Sequence, residues 1–352
     1  MPVQRRGVTK DMADIEKRRG KPVTSYDVAK KAGVSQSAVS RCYKPGASVS
    51  AKTREKVRIA AEELGYEPNA IARSLITKRS NSVAVIIPNL TNLYYPEVLA
   101  QLGQRFSKRG IRVLLFALET ESDAEDALQQ IWQYQVDGVI AAAKLSEKQI
   151  AEFSRRKKPL VFYNRHSNDH SASAVCCDQA EGAETLATGL VESGHNSAAI
   201  ICGPPDSVVG QEREQASEAR LRELGMTDIV KIDGDFSYEC GAAAIDKILD
   251  KHGNIPDAIM CVNDMSAIGV IDSLRFEHDL KVPDDVSVVG FDGVGPANWL
   301  SFDLSTVRQP VGRMTEAAVN MLIERIENPE IANEKRVFSG ILMEGTSARL
   351  SG

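Results

Sequence analysis

Residues 24–44 read TSYDVAKKAGVSQSAVSRCYK. Val28, Ala29 and Ala32 make a short apolar stripe, and Thr24 or Ser25 is placed to cap the helix that carries it. Gly33 supplies a tight turn, and Ser35 caps a second helix that turns Ala38 and Val39 inward. Two short helices joined by a glycine turn make a helix-turn-helix, and the small Ala29 lets them approach closely. The second helix then presents Gln36, Ser37, Ser40 and Arg41 outward. Arginine matches a guanine edge with two hydrogen bonds, glutamine matches adenine, and serine hydroxyls suit a base edge or a phosphate. By its charge and flanks the hairpin reads as a DNA-reading element rather than a merely solvated one.

Outward from that segment, Ser50 caps a third helix in which Val57, Ala60, Ala61 and Leu64 recur at helical spacing before Gly65 ends it. Lys52, Arg54, Lys56 and Arg58 occupy its outer face. The next stretch, YEPNAIARSLITKRSNS, is polar and basic. Asn69, after Pro68, caps at most one or two turns through Leu75, which are marginal alone in water. The segment is either a hinge helix that orders on DNA or an ordinary linker. Residues 1–80 carry a net charge of +10 and residues 81–352 a net charge of −15. A basic head on an acidic body points to nucleic acid as the partner of the head alone.

From residue 81 onward, apolar strands alternate with amphipathic helices. SVAVIIP, IRVLLFAL, VDGVIAA and KPLVFYN form one series, and AAIICGP, DAIMCVN and VSVVGFD a second. Such runs are buried on both faces of a parallel sheet, so the body is expected to be two doubly wound α/β lobes. Helices are expected between them, for example over 96–109 and 122–134. Ligands in such sheets bind beyond the carboxyl ends of the strands. The residues there are polar or aromatic: Asn89, Tyr94 and Tyr95; Asn164 and Arg165; Asp206 and Arg213; Asn263 and Asp264; and Asp292, with Phe236 after Gly234 and Asp235. Taken singly each reads as a cap or loop residue, Asp264 as the cap of MSAIGVIDSL. Their convergence from both lobes suits a sugar or another polar metabolite.

The stretch VTSYDVAKKAGVSQSAVSRCYKPGASVSAKTREKVRIAAEELGYEPNAIARSL resembles the head of the lactose-repressor/galactose-repressor family almost residue for residue. PNLTNLYYPE, VFYNR, NDMSAIG, VPDDVSVVGFD and LSTVRQP extend the resemblance through the body, which is similar to periplasmic sugar-binding proteins. The resemblance implies that Gln36, Ser37 and Arg41 choose operator bases, and that Tyr26, Ser40 and Asn69 contact the backbone. It implies that Leu75 enters the minor groove and kinks it at the centre of a near-palindrome, which requires a homodimer. Thr24, Ser35 and Lys44 complete the candidate DNA-binding set. Lys44 stands where the family usually has Asn. In the body the implied effector contacts are Tyr94, Tyr95, Arg165, Arg213, Phe236, Asn263 and Asp292, and Trp299 lies near enough to join them. Gln179 departs from the family's usual Asn, and Ala216 from its usual Gly.

These readings set the expected domains: a basic extension over 1–20, a helix-turn-helix domain over 21–67, and a hinge and linker over 68–80. The N-terminal lobe takes 81–177 with 310–336, and the C-terminal lobe 178–309 with 337–352, with crossings near Cys177–Asp178, Arg308–Pro310 and Arg336–Val337. The expected function is a DNA-binding repressor controlled by a small-molecule effector, either an inducer or a corepressor, with a sugar or sugar derivative favoured.

No G-x-S-x-G, Walker loop or G-x-G-x-x-G after a strand occurs, so no catalytic residue, enzyme activity or cofactor is expected. His166, Asp169 and His170 read as a loop rather than a metal site, and His195 as a helix end. Six scattered cysteines read as small buried hydrophobes. No apolar run approaches the ~20 residues that span a bilayer, and the charged start lacks a secretory signal. A cytoplasmic location without membrane partners is expected. The competing reading, a transport-type solute-binding protein, has no use for residues 21–76.

Overall fold

A computed structural model describes residues 23–44, 46–67, 79–88, 90, 92–118, 123–166 and 171–350. The chain divides into two compact units, 1–80 and 81–352. In the first, helices α1 (Ser25–Ala32), α2 (Gln36–Cys42) and α3 (Ala51–Leu64) enclose a core of Val28, Ala29, Val39, Val57, Ala60 and Ala61. Gly33 ends α1 in the left-handed region at φ 65°, which a residue with a Cβ adopts only at a cost. Val34 N–H then donates back to the Ala29 carbonyl. The Ser35 hydroxyl caps α2 by accepting from Ala38 N–H at 3.2 Å, and the Ser50 hydroxyl caps α3 through Thr53 N–H. The Tyr43 and Tyr66 rings meet edge-on at 6.1 Å and tie the end of α2 to the end of α3.

The second unit contains two six-stranded sheets. The N-terminal lobe holds β1 (Ser82–Pro88), β2 (Arg112–Leu118), β3 (Gly138–Ala141), β4 (Leu160–Tyr163) and β5 (Ser173–Cys177). The C-terminal lobe holds β6 (Ser197–Ile201), β7 (Asp228–Ile232), β8 (Ala258–Cys261), β9 (Ser287–Asp292) and β10 (Ser305–Arg308). The last two strands, β11 (Lys335–Phe338) and β12 (Ile341–Met343), finish the edges, in the orders β11-β5-β4-β3-β1-β2 and β12-β10-β9-β8-β6-β7. All pairs are parallel except β10 with β12.

The strands read as continuous apolar runs because helices cover both faces. Val83, Val85 and Ile87 of β1 face Val98, Leu102 and Phe106 of α4 (Tyr94–Ser107). Ala84 and Ile86 face α5 (Ala124–Tyr134) and α6 (Glu147–Arg155). Each fully buried Val, Ile or Phe contributes roughly 1.5–3 kcal/mol, which makes this two-sided burial the main support of the lobe. In the other lobe, α7 (Gln179–Glu192) and α8 (Val208–Glu223) cover one face. The opposite face carries the one-turn α9 (Tyr238–Ala242), α10 (Ala244–His252) and α11 (Asp264–Phe276). Helix α12 (Val311–Glu327) returns to the first lobe and packs on α4, β3, β4 and β5.

The third crossing differs from the expectation at Arg336–Val337. Phe338 still pairs with Cys177 of β5, and Ile341 already pairs with Arg308 of β10, so the chain changes lobes at Ser339–Gly340. The parallel ladder with β5 runs two residues further than the expected crossing. Helix α4 begins at Tyr94, two residues before the expected start, and thereby brings both tyrosines into its first turn.

Candidate functional site

On the head, α2 exposes Ser37, Ser40 and Arg41 while Val39 is wholly buried. Gln36 is half-buried, because its amide donates to the Ser25 hydroxyl at 3.2 Å. Arg41 Nε leans on the Ser37 carbonyl at 3.4 Å, leaving the planar end of its guanidinium outward. Tyr26 is 72% exposed, and Lys44 is exposed just past the end of α2. Thr24 and Ser35 serve first as helix starts: the Asp27 carboxylate accepts both the N–H and the hydroxyl of Thr24. Of the cations on α3, Arg58 is engaged by Glu55 and Glu62, and Arg54 donates to the Cys42 carbonyl. Asn69 and Leu75 lie outside the described residues.

Between the lobes of the body lies a cavity of about 330 Å³, at the carboxyl ends of both sheets. Tyr94 and Tyr95 from α4, Asn164 and Arg165 after β4, and Gln309 after β10 form one wall. Arg213 of α8, Phe236 and Asp292 form the other. The buried stripe of α8 runs Gly210, Arg213, Ser217 and Leu221, so an arginine occupies what is otherwise a core position. Its guanidinium is balanced there by Asp292 at 3.0 Å, by the Val262 carbonyl at 2.6 Å and by the Gln179 side-chain oxygen at 2.8 Å. The same group stacks 3.8 Å from the Phe291 ring centre.

Asn164 holds the opposite wall. It donates to Tyr94 at 3.1 Å and to Gln309 at 2.7 Å, and Tyr94 donates on to Tyr163 at 3.2 Å. Gln309 in turn donates to Asp292 at 2.7 Å. Burial raises the Asp292 carboxyl, against the pull of Arg213. Asp264 lies beneath it, wholly buried and bonded to the Thr306 hydroxyl and the Val294 N–H. Burial, with the Asp292 charge beside it, lifts Asp264 to about 7. Asn263 rather than Asp264 caps α11, and the Asn263 amide donates to the Phe236 carbonyl at 2.9 Å.

Asn164, Phe236 and Asp292 all hold positive φ, at 52°, 70° and 122°. Each such residue costs of order 1–3 kcal/mol, and their gathering at one cavity marks it as a site rather than a packing flaw. Phe236 lies against Gly203, where an added Cβ would come within 2.6 Å of the ring.

Tyr94, Tyr95, Arg165, Arg213, Phe236 and Asp292 thus meet at one cavity, and Asn263 reaches it by holding Phe236. Trp299 stands outside the lining. The 3₁₀ turn Gly295–Asn298 throws it outward, 60% exposed, next to the fully exposed Leu300. Gln309 and Gln179 are parts of the arrangement whose contacts the sequence did not announce, although Gln179 stands out there as a departure from the family's usual Asn. His195 is buried, its ring bonded to the Leu190 carbonyl and the Ser287 hydroxyl, as a helix end requires. His166 sits 3.7 Å from Glu212, while Asp169 and His170 lie outside the described residues. Among the described residues no cluster of His, Cys, Asp or Glu suits a metal. Cys42 and Cys240 are half-buried and the other four cysteines buried.

The profile of the lacI family of bacterial regulatory proteins matches residues 24–69, and that of the periplasmic binding protein-like domain matches 187–348. The ribose operon repressor of Escherichia coli (strain K12) is 30% identical over 332 residues, covering 92% of this chain and 99% of that protein. The catabolite control protein A of Priestia megaterium is 30% identical over 305 residues, covering 85% and 91%. A crystal structure of the lac repressor dimer bound to operator and the anti-inducer ONPF superposes with a TM-score of 0.84 at 27% identity, covering 94% of this chain and all of that one. A cellobiose complex of the regulator CelR gives 0.69 at 28% identity, covering 92% and 99%. No described helix is long and apolar enough to cross a membrane. With an exposed reading helix, a two-lobed body and these relatives, the chain belongs to the lacI family of bacterial regulatory proteins.

Proposed function

We propose that this chain is a repressor that binds a near-palindromic operator as a homodimer, and that a sugar or sugar derivative in the interlobe cavity sets its grip. The observation that carries the reading is the cavity wall, where carboxylate, guanidinium and amide groups from both lobes converge between aromatic rings. A polyol placed there satisfies those groups and excludes water over the rings. A ligand that touches both walls favours one lobe arrangement by its differential affinity, and operator binding shifts by the same coupling free energy. Base choice falls to Gln36, Ser37 and Arg41, with Tyr26, Ser40 and Lys44 on the phosphates. The kinking role of Leu75 belongs to the same reading.

The two-fold operator requires a second copy of the chain. Phe276 at the end of α11 is 81% exposed, and Trp299 and Leu300 are exposed nearby, where Arg275 donates to the Ser301 carbonyl. An apolar patch of this kind suits a subunit interface. The family is one of regulators, and no turnover of a bound ligand is expected. A thermal-shift screen against sugars, sugar acids and nucleobases, followed by gel shifts with each compound that binds, tests the reading. A sugar that raises Tm and also changes operator affinity supports it. Binding confined to nucleobases, or binding that leaves operator affinity untouched, overturns it.

A further inference from the structure

Five buried side chains between the lobes form a closed hydrogen-bonded circuit. Asn164 Nδ2 donates to Gln309 Oε1 at 2.7 Å, and Gln309 Nε2 donates to Asp292 Oδ1 at 2.7 Å. The same oxygen accepts Arg213 Nη2 at 3.0 Å. Arg213 Nε donates to Gln179 Oε1 at 2.8 Å, and Gln179 Nε2 closes the circuit on Asn164 Oδ1 at 3.4 Å. All five residues are between 2% and 6% exposed.

Two features of the circuit bear on function. Its glutamines sit at two chain crossings: Gln179 just after Cys177–Asp178, and Gln309 within Arg308–Pro310, just after β10. Each carries a bond from Asn164 of the first lobe to the charged pair of the second. Asn164, Arg213, Asp292 and Gln309 also line the cavity, whereas Gln179 does not.

We propose that Gln179 is a positioning residue that sets how strongly the two lobes are held together, and so how much an effector must contribute to shift them, without touching the effector. The proposal rests on the cavity being the effector site. The amide orientation of Gln179 is fixed by its neighbours, because a flip would aim its NH₂ at a guanidinium and its oxygen at another oxygen. A rotation of one lobe that draws Asn164 away from the Arg213–Asp292 pair must open both arms of the circuit, at Gln179 and at Gln309. Four members are also wall residues, so replacing any of them changes ligand contact and coupling together. Replacing Gln179 separates the two effects.

Amide hydrogen exchange of the full chain, with no ligand present, tests this for Gln179→Leu and Gln179→Glu against the unaltered protein. Two reporter amides adjoin the circuit. Cys177 N–H donates to Asn164 Oδ1, and Gln309 N–H donates to the Asp292 carbonyl. Two control helices lie away from it, around Ile131 of α5 and Ile248 of α10. Loss of a hydrogen bond to a charged group predicts exchange about ten- to hundredfold faster at both reporters in Gln179→Leu, with both controls unchanged. Gln179→Glu keeps an acceptor for Arg213 and loses the donor to Asn164. It should restore protection at Gln309 and leave Cys177 fast. Reporter rates equal to the unaltered protein in both variants overturn the proposal, and so does an acceleration shared by the controls, which marks a general packing role. Because no ligand enters the measurement, a wrong effector assignment leaves its result standing.

Discussion

Replacing Asp292 with alanine leaves the Arg213 guanidinium buried at 3% exposure without a carboxylate in ion-pair contact. Its remaining partners are the neutral oxygens of Gln179 and Val262 and the Phe291 ring. Breaking a buried pair in this way costs about 3–5 kcal/mol, chiefly because the remaining charge cannot be neutralised. At about 2–3 °C per kcal/mol for a domain of this size, Tm should fall by about 6–15 °C. The double variant Asp292→Ala with Arg213→Leu removes both charges, so a thermal double-mutant cycle should return a coupling of about 2 kcal/mol or more. The assay is calorimetric or fluorescence melting at fixed pH and salt. A fall of under about 2 °C for Asp292→Ala would refute the reasoning, as would losses that simply add in the double variant.

Arg41→Ala should weaken specific operator binding by about 1–3 kcal/mol, close to a five- to hundredfold loss by fluorescence anisotropy, with non-specific duplex affinity nearly unchanged; an equal loss on both DNAs would assign Arg41 to phosphate. Ser35→Ala removes the cap of α2 and should cost about 1 kcal/mol of head stability in denaturant melts. Leu300→Asp should weaken self-association at least about tenfold by sedimentation, and an unchanged dimer would place the interface elsewhere. Burial lifts Asp264 to about 7 and raises Asp292 as well, so the folded chain keeps protons that the unfolded chain releases near pH 4. Stability is then greatest at the acid end and falls as pH rises from about 4 to about 7. Asp264→Asn, which cannot ionise, should flatten most of that slope in Tm against pH; an unaltered slope would assign it to other groups.

The buried strands were legible because two-sided burial demands unbroken apolar runs, and SVAVIIP matches β1 residue for residue. Strands β5 and β7 were harder to see. SAVCC spends its length on small and sulfur side chains, and DIVKI has only partial burial at a sheet edge. In the cavity, Arg213 is visible once α8 is drawn as a helix, since it falls among buried positions. Gln179 and Gln309 are not visible in the same way. A glutamine after a helix cap or before a proline has no local signature, and its role depends on where the crossings bring it. Trp299 illustrates the opposite error, because closeness along the chain to Asp292 did not survive the intervening 3₁₀ turn.

The chain's return to both lobes after β10 also constrains how the protein is made. Strand β11 completes the first sheet by pairing with β5, roughly 160 residues earlier, and β12 completes the second by pairing with β10. During synthesis the first lobe therefore lacks α12 and an edge strand until nearly the whole chain has left the ribosome. Through that interval the β5 edge has no β11 beside it and can pair with a neighbouring nascent chain. A release of translation anywhere between residues 311 and 334 leaves both lobes incomplete at once. Quality control would meet a single cooperative failure rather than one sound lobe and one damaged lobe.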